Sequence, residues 1–353
     1  IFKNIDNSFS MDRYAGELAR HMSEYVEVTN VSVNKRAGIK GKVFDKWVTY
    51  TLKARRNQGN WNIIVDEGYS HLLLGLDPNK TLVVCHDVNP LLHDKTPLLH
   101  VIVYKFKLRL MARARHIIAI SQYTKSRILE KCPYIKPDKI TVIYNGLSEK
   151  FRVINDTSFL NGFRKKYCLE NQKVILHVGN NVWYKNFPSF IEAFKLLGEK
   201  DIILVKIGGI TPGEKRLLEE YGLADRFLQI QNIDREKEED LVNFYNVADV
   251  FVFPSISEGF GLPPIEAMAC GCPVVSSNWS SLPEVCGDAC LYVDPMNPKD
   301  IAEKINMVFD DEKLRRDLTK KGLINAKRFT WDKTVKGVIN LMETSPHISD
   351  TKK

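Results

Sequence analysis

Two glutamates, Glu258 and Glu266, enclose a short glycine-containing segment whose residue types suit binding of a phosphorylated sugar. Backbone amides in such a segment, next to a helix N-terminus, can bind an anion. The candidate residues between the two glutamates are Gly259, Phe260, Gly261 and Leu262. Because a carboxylate repels phosphate, we expect the glutamates to bind hydroxyl groups, on a sugar ring and on a ribose. The same spacing also fits an alternative, in which the helix dipole favours Glu266 and Glu258 is a solvated loop residue.

The sequence around this segment predicts the elements that position it. The apolar run Asp249–Phe253 predicts a buried strand before it, and Pro273–Val275 predicts a strand after it. Pro263 and Pro264 suit the first turn of a short helix between the two strands. In a parallel sheet, ligands bind outside the carboxyl ends of the strands. A phase of about 100° per residue turns Glu266 away from the apolar side of the helix and toward the loop.

The segment S-E-G-F-G-L-P-P-I-E-A-M-A-C-G-C-P-V-V resembles the signature of retaining GT-B glycosyltransferases, in particular family 4. The resemblance continues through Ser280–Val285, Gly287–Ala289 and Leu291–Pro295. It implies that Glu258 contacts the donor sugar, that Glu266 contacts the nucleotide ribose, and that the amides between them hold the sugar and the diphosphate.

Composition limits the classes of protein that fit. The chain has 353 residues, of which 44% are hydrophobic, so we expect a globular protein of two domains. The formal net charge of +8 comes from 51 basic and 43 acidic residues that are interspersed. A nucleic-acid-binding protein more often concentrates its cations on one face, so we predict no nucleic-acid partner. A mild basic excess suits an anionic substrate or an anionic membrane surface, and it does not choose between them.

The seven cysteines are scattered and odd in number, which does not indicate a disulfide framework. Their spacings do not favour a zinc site, and no nearby histidine completes a ligand set. An Asp-x-Asp triplet occurs nowhere, which argues against the metal-dependent alternative glycosyltransferase fold. We therefore expect no metal and no cofactor besides the donor. With no recognisable signal peptide or membrane-spanning run, we expect a cytoplasmic protein or one peripheral at the inner membrane face.

In the first half of the chain, His86 follows a predicted buried strand, Thr81–Cys85. The phrase V-V-C-H-D-V resembles the family's strand that ends in His-Asp, which implies that His86 lies by the donor sugar as a hydrogen-bonding residue rather than a nucleophile. The family's Gly-Gly pair, near the donor phosphates, is replaced here by Phe9 and Ser10. We keep Ser10 as a candidate donor-binding residue, although side chains there hinder close approach of the backbone to a phosphate.

In the second half, the strand Lys173–Gly179 leads into Asn180–Asn186, which resembles the family's donor-phosphate loop. That loop normally supplies an arginine and a lysine. Lys185 matches the lysine, while Asn180 or Tyr184 holds the arginine position, so one cation is absent. Lys206, at the end of the next predicted strand, is a candidate replacement. An alternative for Lys185 is a solvated loop lysine. The family's nucleobase usually rests near the residues that match Asn232 and Ile233.

These segments together predict an α/β protein of the GT-B class, with two doubly wound Rossmann-like domains facing each other across a cleft. We place the first domain at 1–155, with a C-terminal helix over 331–345 returning to it, and the donor-binding domain at 156–330. Residues 26–33 alternate like a strand. Residues 34–60 favour a solvated basic helix over an acceptor loop. The charges of helix 97–115 are spread around its circumference, which favours a solvated helix over one that docks on a membrane.

The resemblance implies a retaining glycosyltransferase of polysaccharide biosynthesis. It would move a hexosyl group from a GDP- or UDP-sugar to a hydroxyl of a glycan or lipid-linked acceptor, without metal. Lys185 and the backbone amides would then stabilise the leaving diphosphate. Two alternatives are a nucleotide-sugar epimerase, which the paired glutamates disfavour, and a weak or inactive sugar-nucleotide-binding subunit of a transferase complex. The missing glycine pair and arginine keep the second alternative open.

Overall fold

A computed structural model describes residues 1–3, 9–33, 39–92, 96–198, 201–231 and 238–344. The chain divides into two compact units. Unit 1 comprises Ile1–Gly146 and the chain from Thr330 onward, and unit 2 comprises Leu147–Phe329. Each unit has its own hydrophobic core, built around its own sheet.

The division after Gly146 falls earlier than the predicted boundary at 155/156. The segment between these two positions is bonded to unit 2. The amide of Leu147 donates to the carbonyl of Phe329 at 3.1 Å, and the amide of Ile154 donates to Asn246 Oδ1 at 2.8 Å. Polar composition indicated a linker here, but it does not show which unit satisfies the backbone groups of the linker.

All ladders between the named strands are parallel, and the strands form two sheets. The sheet of unit 1 has the order β1-β2-β3-β4 and the sheet of unit 2 has the order β10-β9-β8-β5-β6-β7. The strands are β1 Asn62–Ile64, β2 Thr81–Cys85, β3 His116–Ala119, β4 Ile140–Val142, β5 Lys173–Val178, β6 Ile202–Ile207, β7 Phe227–Ile230, β8 Val250–Phe253, β9 Val274–Ser277 and β10 Leu291–Val293. Strands β2, β8 and β9 are buried at every position, as expected when both faces of a parallel sheet are covered.

The sheet of unit 2 reverses its strand order between β5 and β8. The chain winds outward in one direction through β6 and β7 and then in the other through β9 and β10. The register pairs Ile175 of β5 with Val250 of β8 and Leu176 with Phe251. The connections that leave β5 and β8 depart to opposite sides, which leaves a crevice at the carboxyl ends of these two strands.

The strand predicted over residues 26–33 is wrong. Within it, only Val31 makes a parallel bridge, to Phe2, and Phe2 makes a second bridge to Ile64. Val31 is 3% exposed, whereas Val26 is 40% exposed. Alternation alone suggested a half-buried strand, but Val26 is exposed, and the described residues here form isolated bridges rather than a ladder.

The described residues form fourteen α-helices. They are α1 Phe9–Met22, α2 Ile39–Phe44, α3 Tyr50–Arg56, α4 Leu98–Met111, α5 Gln122–Lys131, α6 Thr157–Lys166, α7 Phe187–Leu197, α8 Pro212–Glu220, α9 Glu238–Val247, α10 Leu262–Ala269, α11 Leu282–Cys286, α12 Pro298–Asp310, α13 Glu312–Ala326 and α14 Trp331–Glu343. A π-helical turn, Asp45–Thr49, joins α2 to α3. Ser121 caps α5, because its hydroxyl accepts from the amide of Thr124 at 2.9 Å.

All seven cysteines are free thiols, six of them buried, which confirms that they form no disulfide framework. Among the described residues, no helix has both the length and the apolar character needed to cross a bilayer.

Helix α14 packs on α1 within unit 1. The Trp331 ring lies 5.4 Å from the Tyr14 ring, and the Tyr25 hydroxyl donates to Asp332 Oδ1 at 2.8 Å. Gly146 lies directly against this tryptophan. A Cβ at position 146 would be 2.5 Å from Trp331 Cγ, well inside van der Waals contact.

We expect Gly146→Ala to lower the free energy of unfolding by about 1–3 kcal/mol, because the added methyl group forces Trp331 out of its packing. The matched control is Gly16→Ala in α1, where a Cβ meets nothing within 4 Å. That change should stabilise the helix by about 0.5–1 kcal/mol. Scanning calorimetry of the three proteins checks this, and equal midpoints for wild type and Gly146→Ala would contradict the packing argument.

Candidate active site

Lys185 and Glu258 meet at the switch point of the unit 2 sheet. Lys185 lies in the loop after β5, and Glu258 lies in the loop after β8. Lys185 Nζ is 2.6 Å from Glu258 Oε1, and the two side chains are only 15% and 11% exposed. Neither residue is therefore a solvated loop residue, and that alternative is wrong for both. The structure joins these two predicted site residues into one ion pair.

A serine connects the two loops. The Ser255 hydroxyl lies 2.6 Å from Glu258 Oε1 and 2.9 Å from the carbonyl oxygen of Tyr184. The amide of Ile256 also donates to that carbonyl, at 2.8 Å. Ser255 is fully buried. The ion pair is therefore anchored at the backbone of both loops as well as through the two charged side chains.

Asn186 fixes the direction in which Lys185 leaves its loop. Its φ is +56°, a left-handed conformation that costs free energy in a residue other than glycine. Its side-chain amide donates to the carbonyls of Pro254 at 3.2 Å and Pro295 at 2.6 Å, and its Oδ1 accepts from the Ser189 hydroxyl at 2.8 Å. These bonds hold the turn from which α7 begins. Asn186 carried no predicted role, although asparagine is a residue expected at such a conformation.

The loop that contains Glu258 is braced by two serines after β9. The amide of Glu258 donates to Ser280 Oγ at 3.1 Å. The Ser281 hydroxyl lies 2.9 Å from the carbonyl oxygens of both Glu258 and Phe260. Ser280 has a φ of +59°, so the bond to Glu258 helps to offset an unfavourable backbone conformation. Both serines belong to the stretch Ser280–Val285 that carries the family resemblance, but their bracing role depends on contacts with a loop more than 20 residues away.

Gly261 lies at the entry to α10 with a φ of +96°. A Cβ there would be 2.5 Å from Leu282 Cδ2, so both conformation and space require glycine. The Phe260 ring is buried against Phe329 at 5.4 Å. Gly259 and Leu262 are partly exposed. The proposed contact of this segment with a diphosphate stays a prediction.

Glu266 lies deeper than the helical phase predicted. It is 3% exposed, and its Oε2 accepts a hydrogen bond from the hydroxyl of Tyr245 at 3.0 Å. Tyr245 lies in α9 and is itself fully buried. The prediction that Glu266 turns toward the loop is therefore corrected, because α9 covers this side of α10. Its role on a ribose stays a prediction.

Lys206 does not replace the missing arginine at the loop surface. It is 1% exposed, and its Nζ donates to the carbonyl of Gly179 at 2.5 Å. Burial lowers its pKa to about 7, and the nearby Glu214 opposes that shift only in part. Lys206 thus holds the backbone just before Asn180, which is itself exposed.

A cavity of about 790 Å³ lies beside Asn180. It is lined at the ends of β6 and β7 by Gly209, Thr211, Phe227, Gln229 and Gln231, among others. The predicted base-binding residues Asn232 and Ile233 follow β7 directly and lie outside the described residues, so their roles stay predictions. Ser10 lies in the first turn of α1, in unit 1; its role is likewise a prediction.

His86 ends β2 in unit 1 and is buried at 7% exposure. Its Nε2 lies 2.8 Å from the carbonyl oxygen of Val65, so Nε2 carries the proton and Nδ1 is left as an acceptor in the neutral ring. Burial lowers the pKa of His86, which favours that neutral form, although Asp66 and the bond to Val65 oppose the shift. The ring can therefore accept a hydrogen bond, as the predicted non-nucleophilic role requires.

Glu67 supports His86 and was missed by the sequence analysis. Its Oε2 accepts from the backbone amide of His86 at 3.0 Å, and its Oε1 accepts from the Tyr104 hydroxyl at 3.2 Å. Burial raises the pKa of Glu67 well above its usual range, and the charges of Asp66 and Asp87 raise it further. The contact joins positions 19 residues apart, and no local sequence pattern predicts it.

Two family profiles match the chain, and they cover most of both units. The family described as Glycosyl transferases group 1 matches residues 162–324, and Glycosyltransferase Family 4 matches residues 11–151. Among solved structures, HepE of Anabaena in complex with UDP and glucose is similar, with a TM-score of 0.78, 16% identity and coverage of 97% of this chain and 98% of that one. The two parallel-sheet units are thus those of the GT-B fold.

Several of the curated relatives are described as mannosyltransferases, and another as an alpha-1,3-N-acetylgalactosaminyltransferase of Campylobacter jejuni. The serotype-specific mannosyltransferase WbdA of Escherichia coli is 32% identical over 283 residues, which is 76% of this chain and 34% of that protein. The O-antigen chain mannosyltransferase B of Escherichia coli is 33% identical over 232 residues, which is 64% of this chain and 60% of that protein. This chain thus spans about a third of the first relative and less than two thirds of the second.

We expect a double-mutant cycle on Lys185→Met and Glu258→Gln to give a coupling free energy of about 1–3 kcal/mol, because each single change leaves a partly buried charge without its partner. The control is the exposed pair Arg316 and Glu312, 3.4 Å apart with side chains 71% and 65% exposed. Its coupling should not exceed about 0.5 kcal/mol. Urea unfolding measures both cycles. Equal couplings would show that the loops do not shield the Lys185 pair.

Lys206 makes stability depend on pH. Its pKa falls from 10.5 in the unfolded chain to about 7 in the folded one, so between these values the unfolded chain binds more protons. The free energy of unfolding should therefore rise with pH across this window for wild type, relative to Lys206→Met. Denaturant unfolding of both proteins at intervals from about pH 7 to 10 tests this. A constant difference across the window would mean that Lys206 titrates normally.

Proposed function

Because this chain belongs to the group 1 glycosyltransferases, we propose that it transfers a mannosyl group from a nucleoside diphosphate mannose to a hydroxyl of a glycan or lipid-linked acceptor. We further propose that the anomeric configuration is retained and that no metal takes part. The descriptions of the relatives support the mannosyl group and a place in O-antigen or similar polysaccharide synthesis. GDP-mannose and UDP-sugars are the donors to compare.

The observation that carries this proposal is the Lys185–Glu258 pair at the switch point between β5 and β8. A lysine there offers positive charge to a diphosphate leaving group, and the amides of the Gly259–Leu262 segment add hydrogen-bond donors. Glu258 Oε1 is already bonded to Lys185 and Ser255. The other oxygen, Oε2, is the one we assign to a hydroxyl of the donor sugar.

This arrangement suits charge stabilisation better than covalent catalysis. The Glu258 carboxylate already accepts hydrogen bonds from Lys185 and Ser255 at 2.6 Å each, which lowers the nucleophilicity of the whole group, because attack by either oxygen would draw charge away from both bonds. We therefore propose that the leaving phosphate helps to remove the proton of the acceptor hydroxyl on the same face of the sugar. Bond formation on the face that the diphosphate leaves retains the configuration.

We assign the remaining contacts as follows. Glu266 accepts from the ribose hydroxyls, while Tyr245 holds its other side. The cavity beside Asn180 takes the base, and Asn232 and Ile233 keep the base-binding role predicted from the sequence. His86 in unit 1 accepts a sugar hydroxyl at Nδ1, and Ser10 approaches the phosphates. Lys185 is the cation of the diphosphate.

Donor binding tests the proposal. Titration calorimetry of GDP-mannose, UDP-glucose and ADP-glucose, all with EDTA, should give binding of one donor, and Glu266→Gln should weaken it by about 1–3 kcal/mol through lost hydrogen bonds to a charged group. Glu303→Gln, on a side chain that is 69% exposed, is the control and should bind normally. Unchanged donor binding by Glu266→Gln would remove Glu266 from the site.

Transfer is then followed by NMR of the product anomeric signal, with the donor that binds. Retention and activity in EDTA are the expected outcomes, and an inverted product or a strict metal requirement would overturn those parts of the proposal. Donor binding without transfer or hydrolysis for any acceptor would instead favour the weak or inactive binding subunit.

A further inference from the structure

Unit 1 exposes a group of large apolar side chains on two neighbouring helical segments. One segment is Ile39–Arg56, which runs from α2 through the π-helical turn to α3, and the other is α4. The first exposes Val43, Phe44, Val48 and Leu52 by 39–55%. The second exposes Leu98 and Leu99 by 74% each, Ile102 by 55% and Phe106 by 46%. We call these eight side chains the apolar face.

The two halves of the apolar face are continuous. The ring of Trp47, next to Val48, lies 6.4 Å from the ring of Phe106. Lys107 Nζ lies over the same Trp47 ring at 5.5 Å. The face therefore forms a single surface on unit 1, larger than the isolated exposed apolar residues that are normal on a soluble protein.

The charges on these two segments have one sign. Helix α4 contains no acidic residue, and Ile39–Arg56 contains only Asp45. Asp45 is 1% exposed and accepts from the Thr49 hydroxyl at 3.0 Å. Among the described side chains of these two segments, the exposed charged ones are Lys53, Arg55, Arg56, Lys105 and Arg109. A partner that fits this surface is apolar in its interior and anionic at its boundary.

The position of Lys107 weakens the case for a solvated helix. The spread of charge around helix 97–115 favoured a solvated helix over one that docks on a membrane. In the structure Lys107 is 9% exposed and turned onto Trp47, while Leu98, Leu99, Ile102 and Phe106 face outward. The exposed side of α4 is therefore apolar with the cations Lys105 and Arg109 among its apolar residues, while Lys107 on the opposite side is buried.

We propose that the apolar face docks on an anionic lipid bilayer, with its leucines and phenylalanines at the acyl boundary and its cations among the headgroups. Two signals are present together, apolar side chains that lose contact with water and cations that are attracted to anionic lipid. An acidic protein groove would match the cations, but it would leave two convex helical surfaces of apolar side chains only partly covered. The proposal concerns a surface of unit 1 and does not depend on the donor site.

Sedimentation with sucrose-loaded vesicles tests it, using the full chain and no donor. Vesicles of phosphatidylcholine with about one quarter phosphatidylglycerol should bind the protein, and vesicles of phosphatidylcholine alone should bind it at least about tenfold more weakly. Salt at about 0.5 M should reduce binding, because the Debye length shortens. Each cation removed, in Arg55→Gln and Arg109→Gln, should weaken binding by about fivefold.

The apolar contribution is tested with Leu98→Ser/Leu99→Ser, which should weaken vesicle binding by about tenfold or more. Both side chains are exposed, so folding should be unaffected, and the thermal midpoint verifies this. The control is Ile324→Ser in unit 2, a side chain 61% exposed, which should bind vesicles as wild type does.

Three results would overturn the proposal. Absence of binding to anionic vesicles is the first. Equal loss of binding in Leu98→Ser/Leu99→Ser and Ile324→Ser is the second, since it would show a non-specific effect of apolar surface. The third is a wild-type protein that self-associates in sedimentation velocity and does not bind vesicles, while Leu98→Ser/Leu99→Ser is monomeric. The apolar face would then be an interface between two copies. A vesicle result of either kind leaves the donor measurements untouched, so failure here and failure of the proposed transferase activity are distinguishable.

Discussion

The ion pair between Lys185 and Glu258 depends on a feature of the sheet rather than of either loop. Two charges removed from water lose hydration, and their attraction offsets that loss only when geometry and further hydrogen bonds are good. Here the loops that supply the charges leave adjacent strands, β5 and β8, at the point where the strand order reverses. The crevice at that point lets two loops approach without a helix between them. Ser255 and the carbonyl of Tyr184 complete the contacts.

Several residues around this pair hold the backbone of the two loops in place. Asn186 and Ser280 both adopt left-handed conformations, and both are stabilised by hydrogen bonds to or from the loops they border. Gly261 also has a positive φ, and a side chain at this position would meet Leu282. Strained or restricted backbone at three points of one small region indicates that loop geometry is fixed before any ligand arrives. A preorganised site of this kind suits stabilisation of a leaving group, which gains most when the donors need not reorganise.

Strand and helix positions followed well from the sequence where the pattern was long and apolar. Strand Thr81–Cys85 has the predicted bounds, and the C-terminal helix predicted over 331–345 spans Trp331–Glu343. The paired glutamates and Lys185 came from a motif whose residues are close in sequence. Glu67, Tyr245 and Asn186 were missed because their partners are far away along the chain: Tyr245 meets Glu266 across 21 positions and Asn186 meets Pro295 across 109. The strand over residues 26–33 was wrong, and the case for a solvated α4 is weakened, for the same reason, because which side of a segment is covered depends on distant elements.

The titratable groups near the candidate sites differ in whether burial favours their neutral form, and this difference bears on how a diphosphate would bind. Burial lowers the pKa of His86 and His177 and brings the pKa of Lys206 to about 7, while it raises the pKa of Glu67. Each of these groups is thereby moved toward its neutral form near neutral pH. Lys185 and Glu258 are instead kept as a pair of opposite charges in contact. An incoming diphosphate would therefore meet no surplus of buried cations. It would have to compete with Glu258 for Lys185. The backbone amides after Glu258 would supply the remaining attraction. Donor binding would therefore depend most on how closely these two loops approach each other.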